Sequence, residues 1–75
     1  MKLKEAIVKS KNDGVTIRRL AWLCNRQIRD RQIRYVRKMG EFPPFLARRS
    51  MLGDFVPWMP SPSDRYADDW EVIEP

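Results

Sequence analysis

The first hydrophobic pattern in the chain has helical spacing. Leu3, Ala6 and Ile7 recur three and four residues apart, with charged residues between them, which predicts an amphipathic helix over residues 3–12. Gly14 follows shortly after, and glycine readily takes the left-handed conformation that ends a helix. We therefore expect the helix to stop just before Gly14.

Beyond this turn the pattern becomes the alternation of a β-strand. Residues 15–19 are rich in β-branched side chains and place Val15, Ile17 and Arg19 on one face, which predicts a strand. Residues 26–39 are ambiguous, because their apolar positions fit one face of a helix and also alternate as in a strand. The pattern alone favours a helix slightly.

Prolines and glycines divide the next part of the chain. The adjacent prolines at 43–44 cannot lie within a central strand, so the chain breaks there before a strand at residues 45–49. Residues 51–54 are predicted to turn, with Gly53 supplying a positive φ. Residues 55–58 then run back as the next strand.

A short helix is predicted before a final strand. Ser61 or Ser63 is the expected N-cap, and the helix would run for about two turns to residues 68–69. Residues 70–73 return to strand-forming types. The predicted fold class is α+β, with an N-terminal helix, a small antiparallel β-meander and a short helix before the last strand, in a single domain.

Composition limits how this fold is stabilised. A chain of 75 residues buries only about 60% of its unfolded surface, so we expect it to form oligomers. It has one cysteine and no histidine, so no internal disulfide can form, and we expect Cys24 to be a small buried residue in a reducing cytosol. The first residues contain no apolar run, so we expect neither a secretion signal nor a membrane span.

Charge is divided unevenly along the chain. Residues 1–50 hold fourteen Lys and Arg against four acids, whereas residues 51–75 hold one Arg against six acids. The split favours head-to-tail self-association and gives a basic surface for an anionic ligand. With Tyr35 and Phe45 interspersed, the basic half would also suit single-stranded nucleic acid or RNA. A purely structural oligomer is the third possibility.

Acidic side chains near the short helix are the only candidates for catalysis. They could hold Mg²⁺ or transfer protons, although carboxylates in such a position more often cap the helix or face solvent. These residues are Asp64, Asp68, Asp69 and Glu71. Salt bridges to the basic half of the chain are the remaining alternative. Because the chain also lacks a glycine-rich phosphate loop and an activated nucleophile, we expect no enzyme, no catalytic residue, no metal and no cofactor.

Arginines and tryptophans are the better candidates for ligand binding. Residues 18–37 hold seven arginines, most of which would face solvent, while two or three could converge on phosphates through the forked guanidinium. These are Arg18, Arg19, Arg26, Arg29, Arg31, Arg34 and Arg37. Arg18 or Arg19 is the best candidate, because Trp22 follows closely in sequence. Trp58 is held between two prolines. An aromatic plane beside an arginine suits a nucleobase next to a phosphate, so Trp22 and Trp58 could serve a ligand or the core equally well. We expect Trp70 to be a core residue.

Two motifs near the ends of the sequence support the ligand interpretation. The first comprises Glu5-Ala6-Ile7, Gly14 and Arg19-x-x-Trp22, and the second comprises Val56-Pro57-Trp58-Met59-Pro60-Ser61, Asp64 and Ala67-x-Asp69-Trp70-Glu71-Val72. Together they resemble the Thoeris anti-defence protein 2 family of bacteriophages. The resemblance also favours a strand at residues 32–39.

The resemblance implies a sponge that captures a signal without cleaving it. Members of that family form tetramers in the cytoplasm of the infected bacterium and hold cyclic nucleotide immune signals, chiefly glycocyclic ADP-ribose, with cyclic dinucleotides in separate sites in some members. Their two motif tryptophans, which match Trp22 and Trp58, stack on the base of the ligand. With Arg18 and Arg19, the candidate ligand-binding set also includes Asn25, Ser61 and Asp64.

One loop departs from the family pattern. A glycine-rich turn usually follows the first motif tryptophan, whereas this chain has Leu23-Cys24-Asn25-Arg26. The loop borders the predicted site, so the choice of ligand could differ from that of other members.

Overall fold

The computed structural model describes residues 1–37, 40–41, 43–49 and 53–73. Two α-helices, a 3₁₀ helix and five strands make up this part of the chain. In order they are α1 (Leu3–Asp13), β1 (Thr16–Arg19), the 3₁₀ helix (Leu20–Cys24), β2 (Ile33–Val36), β3 (Phe45–Arg49), β4 (Phe55–Pro57), α2 (Pro62–Tyr66) and β5 (Trp70–Ile73). The predicted α+β fold is confirmed.

The five strands form one antiparallel sheet in the order β4-β3-β2-β1-β5. Strands β1 to β4 are consecutive neighbours, as a meander requires. Strand β5 instead returns to the opposite edge and pairs with β1, so that Trp70 lies opposite Arg19 and Val72 opposite Ile17. The last described strand therefore lies beside the first.

The core lies between α1 and one face of the sheet. The inward residues of α1, Leu3 and Ala6, join Ile17, Ile33 and Trp70 in one buried cluster. Alternation along β1 brings Arg19 to the same face as Ile17. This arrangement places Arg19 and Trp70, which are neighbours across the β1–β5 pair, at the edge of the core.

Polar groups at the end of α1 tie the helix to the sheet. Gly14 has a φ of 68° and donates its amide to the Ser10 carbonyl over 2.9 Å, so the predicted helix end is confirmed. The buried Ser10 hydroxyl donates to the Val15 carbonyl and accepts from the Tyr35 amide. The Ser10 side chain thus has both a donor and an acceptor partner, as a buried hydroxyl requires.

Two local predictions need correction. Helix α2 ends at Tyr66 rather than near residue 69, because Ala67 is already extended at φ −70° and ψ 145°. In the ambiguous segment, β2 covers only Ile33–Val36 and the chain forms turns over residues 26–30. The slight preference for a helix there was wrong, and the preference for a strand was right for this shorter span.

Part of the predicted structure falls on residues that are not described. Residues 38–39, at the end of the predicted strand, and residues 51–52 of the predicted turn lie outside the described residues. Gly53 has the expected positive φ, at 89°. In the described part of the chain, no helix is both long enough and apolar enough to cross a membrane.

Candidate functional site

The 3₁₀ helix that follows β1 forms one wall of the candidate site. It carries Trp22, and the extended residues Arg19 and Asn25 flank it at its two ends. The Asn25 amide donates to the Trp22 carbonyl over 3.1 Å and closes the last turn. Three of the predicted site residues therefore come from one short, hydrogen-bonded segment.

The same helix leaves Cys24 exposed, so the prediction of a buried cysteine was wrong. Trp22 is the buried residue of this helix, at 4% exposure, whereas Leu20 and Leu23 are 48% and 42% exposed. A helix of less than two turns on the surface directs few side chains inward, and the large indole occupies the inward position. Cys24 then faces solvent.

Arg19 links this helix to the C-terminal part of the chain through two carboxylates. Its Nε donates to Asp69 Oδ1 and its Nη1 to Asp64 Oδ1, each over 2.9 Å. The other Asp69 oxygen, Oδ2, accepts the Ala21 amide over 2.9 Å. The pKa of Arg19 is raised, chiefly by the hydrogen bond to Asp69, so Arg19 stays charged at every physiological pH.

Asp64 joins helix α2 to this ion-pair network. Its Oδ2 accepts the Ser61 amide and its own amide donates to Ser61 Oγ, which completes a capping box. Desolvation by burial acts to raise the pKa of Asp64, but hydrogen bonds from Arg19 and Ser61 outweigh it and hold the pKa below its ordinary value. The pKa of Asp69 is lowered against the same desolvation, mainly by Arg19 and Ala21.

The roles of the four acidic residues differ from the expectation. Helix capping is confirmed for Asp64, but Asp64 is only 7% exposed rather than a surface group. Asp64, Asp69 and Glu71 all pair with arginines of the basic half, whereas Asp68 is exposed. In the portion of the chain that is described, no three Cys, Asp or Glu side chains form a group that could hold a metal ion.

The three tryptophans meet in one cluster beside the network. Their ring centroids lie 5.2 to 6.2 Å apart with interplanar angles of 69° to 81°, which are the edge-to-face contacts that aromatic rings favour. Trp70 is 2% exposed and its indole N–H donates to the Asp64 carbonyl over 3.0 Å. The prediction that Trp70 is a core residue is confirmed, while Trp58 is only half-buried.

A cavity of about 450 Å³ lies over Trp22 and Trp58. Six of the seven predicted ligand-binding residues line it, together with Ala21, Ile28, Arg31, Met59 and Ser63. These six are Arg19, Trp22, Asn25, Trp58, Ser61 and Asp64. Their convergence is a finding about geometry, and their part in ligand binding remains a prediction.

Arg18 is the predicted residue that does not reach this cavity. It alternates with Arg19 along β1, so it faces the other side of the sheet, where its Nε donates to Glu71 Oε1 over 2.5 Å. Arg31, one of the seven candidate arginines but not among the predicted site residues, does line the cavity. Its guanidinium carbon lies 5.3 Å from the centroid of the Trp22 ring, and it comes from the turn region where the sequence pattern was ambiguous.

Comparison with known proteins agrees with the resemblance found in the sequence. The family model described as the Thoeris anti-defense 2-like domain, or Tad2-like, matches residues 1–73. No curated protein and no solved structure matches the chain. Since the match covers nearly all of its 75 residues, the chain belongs to the Thoeris anti-defense 2-like family.

Proposed function

We propose that this protein is a phage counter-defence sponge that binds a cyclic nucleotide immune signal and holds it intact. The observation that carries the proposal is the convergence of both motif tryptophans, Asn25 and Ser61 on one cavity of about 450 Å³. That volume lies within the range of roughly 300–1,000 Å³ typical of small-molecule sites. Membership of the family indicates a role against Thoeris defence.

The ligand class is a cyclic nucleotide, foremost glycocyclic ADP-ribose, with cyclic dinucleotides as the alternative. Trp58 is half-buried and lines the cavity, so it offers an aromatic surface to a base, and such stacking contributes roughly 1–3 kcal/mol. Trp22 is 4% exposed and carries Arg31 on its ring. Its contact with a ligand would therefore be smaller than that of Trp58.

The carboxylates of the site favour capture over cleavage. A general acid needs a carboxyl group that stays protonated near neutral pH. The pKa values of Asp64 and Asp69 are both lowered, and each carboxylate is already engaged by Arg19 and a backbone amide. Neither group is suited to donate a proton to a leaving group. The family is also not known as one of enzymes.

The test is to recover the bound molecule. The protein is incubated with a panel of glycocyclic ADP-ribose, cyclic ADP-ribose and cyclic dinucleotides, separated from free ligand, denatured, and the released compound is identified by mass spectrometry. We expect one member of the panel to be released intact. Recovery of a cleaved product would support an enzyme instead, and recovery of nothing would contradict the proposal.

Binding to single-stranded nucleic acid or RNA is the second candidate. A cavity lined by four arginines favours it, namely Arg26, Arg31, Arg48 and Arg49. However, Tyr35 and Phe45 are half-buried in the sheet rather than exposed for stacking. A protein that contacts six to ten phosphates loses about 10³–10⁵ in affinity between 50 and 200 mM salt, so an equally steep loss for an oligonucleotide would favour this candidate.

We also propose that the protein assembles as a tetramer in the cytoplasm of the infected host. Large side chains near the site are exposed, with Met59 at 80% and Tyr66 at 85%, and a second copy could cover them. The charge split favours assembly less than the sequence suggested, because Asp64, Asp69 and Glu71 pair within the chain. Light scattering at micromolar concentration should show a dimer or tetramer of the 9.0 kDa chain, whereas a stable monomer would contradict this proposal.

A further inference from the structure

The arginines that the sequence favoured for phosphate binding are already paired with carboxylates. Arg19 contacts both Asp64 and Asp69, so this group of three carries one positive and two negative charges. Arg18 pairs with Glu71 on the other face of the sheet. The cavity over Trp22 and Trp58 is called the aromatic cavity below. A phosphate that entered it would be repelled by the net negative charge of the group around Arg19, and it would not reach Arg18. The anion-binding group of the site must be another residue.

Arg31 has the position and the free charge for this role. It lines the aromatic cavity, and none of the described carboxylates lies within 4 Å of it as an ion-pair partner. Its guanidinium lies 5.3 Å from the Trp22 ring centroid, within the range of roughly 6 Å for a cation–π contact. A guanidinium over a ring keeps its N–H groups available at its edge for a phosphate.

Arg31 also lines a second cavity, of about 540 Å³, that adjoins the first. Arg26, Arg48 and Arg49 line it as well, against one acid, Asp30. Sheet pairing accounts for part of this cluster, since Arg48 lies opposite Ile33 and the Arg49 amide donates to the Gln32 carbonyl. The two cavities thus share one residue, with tryptophans on one side of it and arginines on the other.

We infer that Arg31 binds a phosphate of the ligand and that the neighbouring arginines receive a second one. The inference rests on the proposed function and identifies the residues that bind the two phosphates of the proposed ligand. Its base lies on Trp58 and its phosphates extend over Arg31 into the arginine-lined cavity. Trp22 then acts as the platform that positions Arg31, which is consistent with its burial.

Inorganic pyrophosphate tests the anion site without depending on the base. Calorimetric titration compares the wild-type protein, Arg31→Ala, Arg31→Lys and the control Arg29→Ala. Arg29 is exposed, lies two residues away and lines neither cavity. We expect Arg31→Ala to bind pyrophosphate about ten- to a hundredfold more weakly, Arg31→Lys to fall between the two, and Arg29→Ala to match the wild type.

Each outcome either supports or overturns the inference. Absence of pyrophosphate binding at millimolar concentration by the wild type, or equal weakening in the Arg31 and Arg29 variants, would overturn it. Circular dichroism checks the fold, and if Arg31→Ala unfolds, Arg31→Gln replaces it because the longer side chain still covers the ring. Arg31-dependent pyrophosphate binding, with no cyclic nucleotide recovered from the panel, would support the anion site and contradict the sponge.

Discussion

Replacing Trp58 with alanine is expected to remove most of the affinity for a cyclic nucleotide while the chain still folds. The half-buried indole lines the cavity, and loss of base stacking costs roughly 1–3 kcal/mol, which is about one to two decades in Kd. Stability should also fall, because Trp58 has edge-to-face contacts with Trp22 and Trp70 that contribute about 0.5–1.5 kcal/mol each.

The matched comparison for Trp58→Ala is Trp70→Ala. Trp70 is 2% exposed and its indole is hydrogen-bonded, so its truncation should cost roughly 3–5 kcal/mol and could unfold a domain of this size. Calorimetric titration and chemical denaturation are measured on both variants. If Trp58→Ala lost as much stability as Trp70→Ala, or bound the ligand within twofold of wild type, the stacking role would be wrong.

Replacing Arg19 with methionine should cause one of the largest losses of stability in the chain. The substitution leaves Asp64, whose side chain is 10% exposed, and Asp69 without their cationic partner. Removal of one partner from a buried ion pair typically costs roughly 3–5 kcal/mol, because the remaining charge is left uncompensated. Urea unfolding at neutral pH measures the effect.

Arg18→Met provides a neighbouring control in the same strand. Arg18 and Glu71 are each about one-third exposed, at 31% and 32%, and such pairs contribute only about 0.2–1 kcal/mol. We therefore expect Arg19→Met to lower the free energy of unfolding clearly more than Arg18→Met, although the two positions are adjacent. Equal losses would show that the Arg19 network contributes no more than an ordinary surface pair.

Acid should remove the same stabilisation in the wild type. Because the folded-state pKa values of Asp64 and Asp69 lie below their ordinary value of 3.8, their contribution is complete above that pH and declines as the pH falls toward the folded-state values. Removal of Arg19 takes away the main group that lowers both pKa values. The free energy of unfolding of Arg19→Met should thus fall less on acidification than that of the wild type. If the two proteins lost stability in parallel as the pH fell, this account would be wrong.

Features that depend on a few adjacent residues could be predicted from the sequence. Gly14 ends α1 because the required left-handed conformation suits glycine, and Ser61 caps α2 because its hydroxyl reaches the amide three residues on. The convergence of Trp22 and Trp58 came from the resemblance rather than from the pattern. No local signal predicted the 3₁₀ helix between Arg19 and Asn25. The prediction for Cys24 was wrong because it rested on the usual burial of cysteine and not on the local structure.

Features that depend on distant pairing could not be predicted. Alternation along β1 sets the faces of Arg18 and Arg19, but the acids that they meet were decided by the register of β1 against β5, across about fifty residues. The same register brought Asp69 to Arg19 and Glu71 to Arg18, so both favoured phosphate ligands were already occupied. The sequence did not distinguish Arg31 from the other candidate arginines, because its position depends on contact with the Trp22 ring, nine positions earlier in the chain.

The pairing of β5 with β1 has a consequence for how the protein folds. The two strands are about fifty residues apart in sequence, so bringing them together costs loop-closure entropy before any contact between them forms. Contacts between residues so distant in sequence slow folding. The meander of β1 to β4 can form from neighbouring segments, but Arg19 meets Asp64 and Asp69, and Trp22 meets Trp70, only after residues 64–73 have joined it. A partly folded chain that lacks the β1–β5 pair therefore lacks the candidate site, and a nascent chain gains this site only after its residues up to 73 have been synthesised.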